Sequence, residues 1–340
     1  MKDPFSLEQI ARVDTRDVRS TYERWPSLAR DGFRINVEVP RRSANRAYVL
    51  GMGGSAAGGD FIAGWMFARG GPQLEVFKGD ILAGDMTGSL AVACSASGQT
   101  EETIGMMKEA IKKHASVVAI SSGGELMLDA ERLGVPHVQM PKVVAPRYML
   151  PFIIFSTLAV LNVGLDLRCE PEVEETLVEM DSEKNDVRTS SPLESNGAKS
   201  LAVKLLDKSP AIYGSKVVSG VGVRFKNVIN ENAKKHAHFD AIPDAFHNEI
   251  ESWEDPSNDF LPVFLKHSMD GERDRVKAER MMRILHDAGK NPIPLMGRGA
   301  SSLAQLATLV YRLDMASYFV SIGLGRDPFP TRLIDELKKG

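Results

Sequence analysis

Two turns rich in glycine and hydroxyl residues stand out in the chain. The first is Gly51-Met-Gly-Gly-Ser55, and the second is Ser95-Ala-Ser-Gly-Gln-Thr100. Each follows a short apolar run and precedes a helix-like pattern, as when a parallel strand leads into a helix. A helix N-terminus offers unpaired N–H groups and partial positive charge, both of which favour an anion. Glycines allow close approach of the backbone, and hydroxyls donate further hydrogen bonds. The two turns therefore predict a site for a small phosphorylated ligand.

The first turn also fits another pattern. Gly51, Gly53 and Ala56 satisfy the dinucleotide fingerprint, and Glu75 lies near the position of a ribose-binding acid. A nicotinamide enzyme does not need the second hydroxyl-rich turn, which favours the phosphate-site hypothesis. A Walker-type loop is excluded because no Gly-Lys-Ser/Thr follows. The remaining alternative is that both segments are only tight strand–helix turns.

A second group of reactive residues lies in the other half of the chain. If Val221–Lys235 is a helix, Glu231 falls at the edge of its buried stripe. A carboxylate facing a cleft there would be a candidate general base, whereas an ordinary glutamate belongs to a solvated helix face. His247 follows in a predicted loop, and a single histidine is usually structural.

Further charged residues allow two interpretations each. Arg147 begins an apolar helix, where it would either bind a carboxylate or stabilise a developing oxyanion. Lys338 is by default an exposed lysine that is favourable to a helix dipole. His236 and His238 together with His247 do not have a standard zinc spacing, so we predict no metal site.

The elements that would position these residues alternate between strand and helix. In the first half, predicted strands are Ala47–Leu50, Leu74–Phe77, Leu90–Cys94, Val117–Ile120 and His137–Gln139. Predicted helices between or before them are residues 6–30, Phe61–Phe67, Thr100–Lys113 and Glu125–Leu133. This order predicts βαβ units and a parallel sheet, which binds ligands at the carboxyl ends of its strands.

The second half repeats the alternation more weakly, which suggests a duplicated α/β domain. Predicted strands are Ala211–Tyr213, Phe260–Leu265 and Ile293–Leu295, and further helices are Arg273–Ala288 and Ser301–Val320. We divide the chain into an N-terminal helical arm, a first domain, a connecting segment and a second domain with a C-terminal helix, at residues 1–44, 45–165, 166–200 and 201–340.

Composition excludes several classes of partner. The chain has 340 residues, 43% of them hydrophobic and 26% charged, with a net charge of -3. These values give no sign of a nucleic-acid or membrane partner. Only Cys94 and Cys169 are present, and the N-terminal segment lacks the apolar core of a signal peptide, so we expect a cytoplasmic protein. The apolar stretch Tyr148–Leu167 is interrupted by polar residues and predicts a buried helix.

Taken together, the motifs resemble those of the bifunctional phosphoglucose/phosphomannose isomerases, from about residue 45 to the C-terminus. The matching segments are Gly51–Ser55, Ser95–Thr103, Pro146-Arg147, Asn230-Glu231, His247-Asn-Glu and Ile334–Lys338. The resemblance implies two αβα sandwich domains of the sugar isomerase type, each with a mainly parallel sheet flanked by helices. It also implies a homodimer with the active site in the cleft between domains.

The resemblance further implies an activity without metal or organic cofactor: interconversion of glucose 6-phosphate, and mannose 6-phosphate, with fructose 6-phosphate. The phosphate-binding residues would be Gly54, Ser55, Ser95, Ser97 and Thr100. Glu231 would move a proton between C1 and C2 through a cis-enediol, and Arg147 would stabilise the enediolate. His247, reaching in from the neighbouring subunit, would assist ring opening with Lys338. Thr331 would permit the mannose substrate.

Three alternative functions stay open. A nicotinamide-dependent oxidoreductase would bind NAD(P)H. A non-catalytic sugar-phosphate-binding module would retain the ligand site without a working base. The isomerase half of an amidotransferase would need an N-terminal nucleophilic cysteine, whereas Lys2 occupies the position after the initiator methionine.

Overall fold

A computed structural model describes most of the chain. The described residues are 4–36, 38–39, 44, 46–82, 84–142, 145–255 and 258–337. The chain divides into two compact units. The first unit is Arg24–Val178 with Ser301–Leu303, and the second unit is Met1–Glu23, Glu179–Ala300 and Ala304–Gly340. The domain bounds that the sequence suggested stay predictions.

The described residues form strands and helices in alternation. The strands are β1 Arg46–Gly51, β2 Gln73–Phe77, β3 Leu90–Ser95, β4 Ser116–Ser121, β5 His137–Gln139, β6 Ser209–Gly214, β7 His238–Ala241, β8 Phe260–Lys266 and β9 Ile293–Met296. The helices are α1 Leu7–Val13, α2 Val18–Glu23, α3 Trp25–Phe33, α4 Gly53–Arg69, α5 Glu101–Lys112, α6 Gly124–Leu133, α7 Leu150–Leu165, α8 Glu170–Val187, α9 Gly197–Leu205, α10 Ser219–Ala233, α11 Glu272–Asp287, α12 Ser302–Gly323 and α13 Arg332–Leu337.

The first unit is built on a parallel sheet with the strand order β2-β1-β3-β4-β5. Alternate residues of its strands enter a core with α5 and α6, as Leu50, Ala91 and Ala119 do with Met107. Helices α4 and α7 pack on each other and also contact β3. Every residue of β3 is buried, which explains why the sequence of this strand is almost continuously apolar.

The second unit contains a parallel sheet with the order β7-β6-β8-β9. This order repeats β2-β1-β3-β4 of the first sheet, which agrees with the suggested duplication. Its core joins β6 and β8 to α11, with Tyr213, Phe264 and Met281 almost completely buried. The predicted α/β class with two mainly parallel sheets flanked by helices is confirmed.

Several predicted elements differ from the structure. Residues 6–30 do not form one helix, because Asp14 ends α1 and its carboxylate caps α2 by accepting from the N–H groups of Val18 and Arg19 at 2.8 and 3.0 Å. Helix α4 begins at Gly53, well before the predicted Phe61. Strand β7 was not predicted, and α8 lies in the predicted connecting segment.

Small residues in α4 explain how it starts so early despite poor helix propensity. A Cβ on Gly58 would lie 2.7 Å from Ile153 Cγ2, and one on Gly59 would lie 2.8 Å from Val49 Cγ1. Close packing against α7 and β1 therefore outweighs the low intrinsic propensity of glycine for helix.

The segment Pro146–Leu165 is apolar and long enough to cross a bilayer, and it is the one such segment among the described residues. Most of it is buried within the protein, as predicted for a core helix.

Candidate active site

The two glycine- and hydroxyl-rich turns lie at the same edge of the first sheet. Strands β1 and β3 are parallel neighbours in which Gly51 pairs with Cys94, so the turns that follow them are adjacent. The Ser55 hydroxyl accepts a hydrogen bond from the Ala96 N–H at 3.2 Å, which ties the first turn to the second. This edge is where open parallel sheets bind ligands.

The second turn is organised by the nearly buried hydroxyl of Ser95. Ser95 Oγ lies 2.8 Å from Thr100 Oγ1 and accepts from the Gly98 N–H at 3.1 Å. Thr100 is the residue that precedes α5, and Ser97 is exposed. The turn thus combines hydroxyl groups with a helix N-terminus, the arrangement that favours a phosphate.

Arg147 lies beside the first turn. It is half-buried in the short 3₁₀ helix Pro146–Met149, and its guanidinium carbon lies 4.6 Å from the centroid of the Tyr148 ring. A Cβ built on Gly54 would lie 3.5 Å from the Arg147 Cα. The first unit therefore brings the backbone of Arg147 next to the N-terminus of α4.

A close approach of two backbones fixes the shape of the second turn. Gly98 has φ +68°, and a Cβ on it would overlap the Gly123 carbonyl oxygen. Replacing Gly98 by Ala should lower the free energy of unfolding by about 2 kcal/mol or more, from overpacking and an unfavourable φ. Chemical denaturation of the purified variant measures this loss.

Gly105 provides the matched control. It lies on the exposed face of α5, and nothing is within 4 Å of a Cβ added there. Gly105→Ala should therefore stabilise the protein by up to about 1 kcal/mol, because alanine has the higher helix propensity. Equal effects of the two substitutions would contradict the proposed strain at Gly98.

Glu231 lies in the second unit, two residues before the end of α10. Its side chain is half-buried, and the helix ends at Lys234, which has φ +51°. The Lys234 ammonium donates to the carbonyl oxygens of Glu231 and Asp327 at 2.8 and 2.7 Å. Glu231 therefore lies in a helix terminus whose backbone is held by the Lys234 side chain.

The other predicted residues of the second unit lie in short segments. His247 is exposed and follows the 3₁₀ helix Asp244–Phe246. The Thr331 carbonyl oxygen accepts from the Asp335 N–H at 3.0 Å as α13 begins. Lys338 lies outside the described residues.

One cluster of possible metal ligands occurs in the part of the chain that the structure describes. Atoms of His238, Asp240 and Glu249 lie within 4.8 Å of one another. The His238 Nε2 and Glu249 Oε2 are already hydrogen-bonded at 2.8 Å, and the Tyr213 hydroxyl donates to Glu249 Oε1 at 2.9 Å. The sequence analysis considered His236, His238 and His247 and predicted no metal site, so only His238 is common to both groups. It missed Asp240 and Glu249 because β7, which places residues 238 and 240 on one face, was not predicted.

Both cysteines are unsuited to nucleophilic chemistry. Burial raises the pKa of Cys94 to about 12, against the opposing effect of a hydrogen bond with Ser55. Burial also raises the pKa of Cys169 to about 12, with a further contribution from the Glu170 carboxylate. Neither thiol is therefore ionised near neutral pH.

Glu75, the candidate ribose-binding acid, is exposed in β2. It pairs with Tyr48, two residues before the end of the β1–β2 pairing, and so lies short of the carboxyl edge of the sheet.

Comparison with known proteins identifies the class. Residues 194–340 match the family model described as the bacterial phospho-glucose isomerase C-terminal SIS domain. A solved hypothetical protein from Thermus thermophilus superimposes with a TM-score of 0.74 at 17% identity, covering 98% of this chain and 92% of that one. The second parallel sheet thus belongs to a sugar isomerase (SIS) domain, and the chain shares the fold of the solved protein.

Two curated relatives define the family more narrowly. The bifunctional phosphoglucose/phosphomannose isomerase of Aquifex aeolicus is 31% identical over 85% of this chain and 88% of its own length. The protein of the same name from Caldicellulosiruptor bescii is 29% identical over 90% of this chain and 92% of its own length. The chain belongs to the bifunctional phosphoglucose/phosphomannose isomerase family.

Proposed function

We propose that this protein is an aldose–ketose isomerase that interconverts glucose 6-phosphate, and mannose 6-phosphate, with fructose 6-phosphate. Family membership over most of the chain carries this proposal. The geometry supports it, because the first unit presents hydroxyls and helix N-termini suited to phosphate, and the second unit presents Glu231 at a fixed helix end.

The first unit supplies binding and charge stabilisation. The substrate phosphate would be held by Gly54, Ser55, Ser95, Ser97 and Thr100. Binding the phosphate away from the reacting carbons orients the sugar. Arg147 would stabilise the negative charge that develops on the enediolate oxygen, a contribution that often dominates such reactions.

The second unit supplies proton transfer. Glu231 would take the proton from C2 of the open-chain aldose, leaving a cis-enediol, and return a proton to C1 to give the ketose. His247 would assist ring opening with Lys338, and Thr331 would accommodate both epimers at C2. A proton α to a carbonyl is weakly acidic, so the reaction needs a positioned base together with a cation.

We further propose a cytoplasmic homodimer that acts in glycolysis or gluconeogenesis, with His247 contributed across the subunit interface and no cofactor required. Mixing a His247→Ala variant with a Glu231→Gln variant tests the shared site. If His247 acts across the interface, mixed dimers regain activity, since one of their two sites contains both residues. Inactive mixed dimers would contradict this arrangement.

A coupled assay that starts from fructose 6-phosphate and measures the two aldose phosphates separately tests the reaction. We expect both products, with deuterium from D₂O entering at least part of the product at C1 or C2. Transfer of the substrate hydrogen without any solvent exchange would favour hydride transfer and contradict the proposed base. NAD(P)H-dependent turnover would instead support the oxidoreductase alternative.

A further inference from the structure

A buried ion pair joins α10 to α12 in the second unit. The Arg224 guanidinium donates from Nε to Asp314 Oδ1 at 3.1 Å and from Nη2 to Asp314 Oδ2 at 2.6 Å. Arg224 is 2% exposed and Asp314 is fully buried. Two parallel hydrogen bonds fix the relative orientation of the two groups more tightly than one would.

A second set of bonds extends this pair to the residue beside Glu231. The Tyr22 hydroxyl donates to Asp314 Oδ2 at 3.4 Å and accepts from Asn232 Nδ2 at 3.0 Å. Asn232 Nδ2 also lies 2.9 Å from Ser317 Oγ on α12. Asn232 and Tyr22 are fully buried, so each of these polar groups depends on its protein partners.

The network bears directly on Glu231. Arg224 and Glu231 are seven residues apart on α10 and therefore lie on the same side of the helix. Burial lowers the pKa of Arg224, but the Asp314 carboxylate raises it, and the negative charge of Glu231 raises it further. The guanidinium thus remains charged and interacts electrostatically with Glu231.

We propose that Arg224, Asp314, Tyr22 and Asn232 are positioning residues for the base Glu231. This inference rests on the function proposed above. The network joins α10 to α12 at Arg224, and to α12 and α2 at Asn232, so these attachments lie before and after Glu231 along the helix. It limits movement of the Glu231 carboxylate relative to the sugar carbons, and an error of about 1 Å in such a placement can cost a large factor in rate.

Replacing Tyr22 by Phe tests this role with little change in volume. The substitution removes the bond to Asp314 and the acceptor for Asn232 while keeping the ring. We expect kcat to fall about tenfold with KM within about twofold, since a misplaced base slows proton transfer more than it weakens binding. With glucose 6-phosphate deuterated at C2, the isotope effect on kcat should be no smaller than in the wild type, because proton transfer limits the rate more strongly.

Tyr318→Phe provides the matched control. Tyr318 is also fully buried, and its hydroxyl donates to the Asp14 carboxylate at 3.0 Å rather than to α10. The two variants should have similar melting temperatures, but only Tyr22→Phe should lose kcat. Arg224→Lys, which keeps the charge but not the paired bonds, should lose at least as much kcat as Tyr22→Phe.

Two results would overturn the inference. One is a kcat loss in Tyr22→Phe no greater than in Tyr318→Phe. The other is an isotope effect smaller than that of the wild type, which would place the defect outside proton transfer. Failure of the proposed function is a separate result, because the wild type would then not isomerise fructose 6-phosphate at all.

Discussion

Replacing Glu231 by Gln should lower the isomerase kcat by roughly 10² to 10⁴, the usual contribution of a general base. The amide is similar in size to the carboxylate but cannot accept the C2 proton. Because glutamine and glutamate have similar helix propensities, the substitution should leave α10 intact. Initial rates with fructose 6-phosphate measure the loss, and calorimetric titration with an unreactive sugar phosphate tests whether binding is retained.

The control for this variant is Glu279→Gln on α11. Glu279 is exposed, and its carboxylate lies 3.8 Å from the Lys266 ammonium, a weak surface pair. The kcat of Glu279→Gln should equal that of the wild type. Full activity of Glu231→Gln, with binding retained, would remove Glu231 from the mechanism and favour a different base.

Replacing Arg147 by Met should lower kcat by roughly 10² to 10³, the cost of losing one donor to a developing oxyanion. Methionine keeps an unbranched side chain that can pack near Tyr148, over whose ring the guanidinium lies. The effect should appear mainly in kcat, since the charge on the enediolate is absent from the bound sugar. Steady-state kinetics in both directions measure it.

Arg132→Met is the matched control. Arg132 is an exposed arginine on α6 that bonds the Glu125 and Asp129 carboxylates at 3.2 Å. Removing this guanidinium should change kcat by less than about twofold, because exposed ion pairs contribute little to the stability of the fold. An Arg147→Met variant that changes KM alone would indicate a role in phosphate binding instead.

The fold class and most strands could be predicted from the sequence. The apolar runs of β1, β3, β4, β6 and β8 are short, continuous and bounded by turn residues, which is typical of buried parallel strands. The start of α4 could not be predicted, because its glycines have low helix propensity and only the close packing of Gly58 and Gly59 reveals the need for them.

The candidate site was predicted in part. Spacing within each turn identified Ser55, Ser95 and Thr100, since all the residues of a turn are near one another in the chain. The bond between Ser55 and the Ala96 N–H joins residues 41 positions apart, and it follows only from the adjacent placement of β1 and β3.

The sequence by itself determined the types of chemical group and their local order: two hydroxyl-rich helix starts, a glutamate near a helix end and an arginine before an apolar helix. Only the tertiary structure decided that Tyr22, Arg224, Asn232 and Asp314 form one buried network. Tyr22 and Asp314 are 292 positions apart. Periodicity reports which face of a helix is buried, but the partner of a buried polar group is set by packing between distant segments.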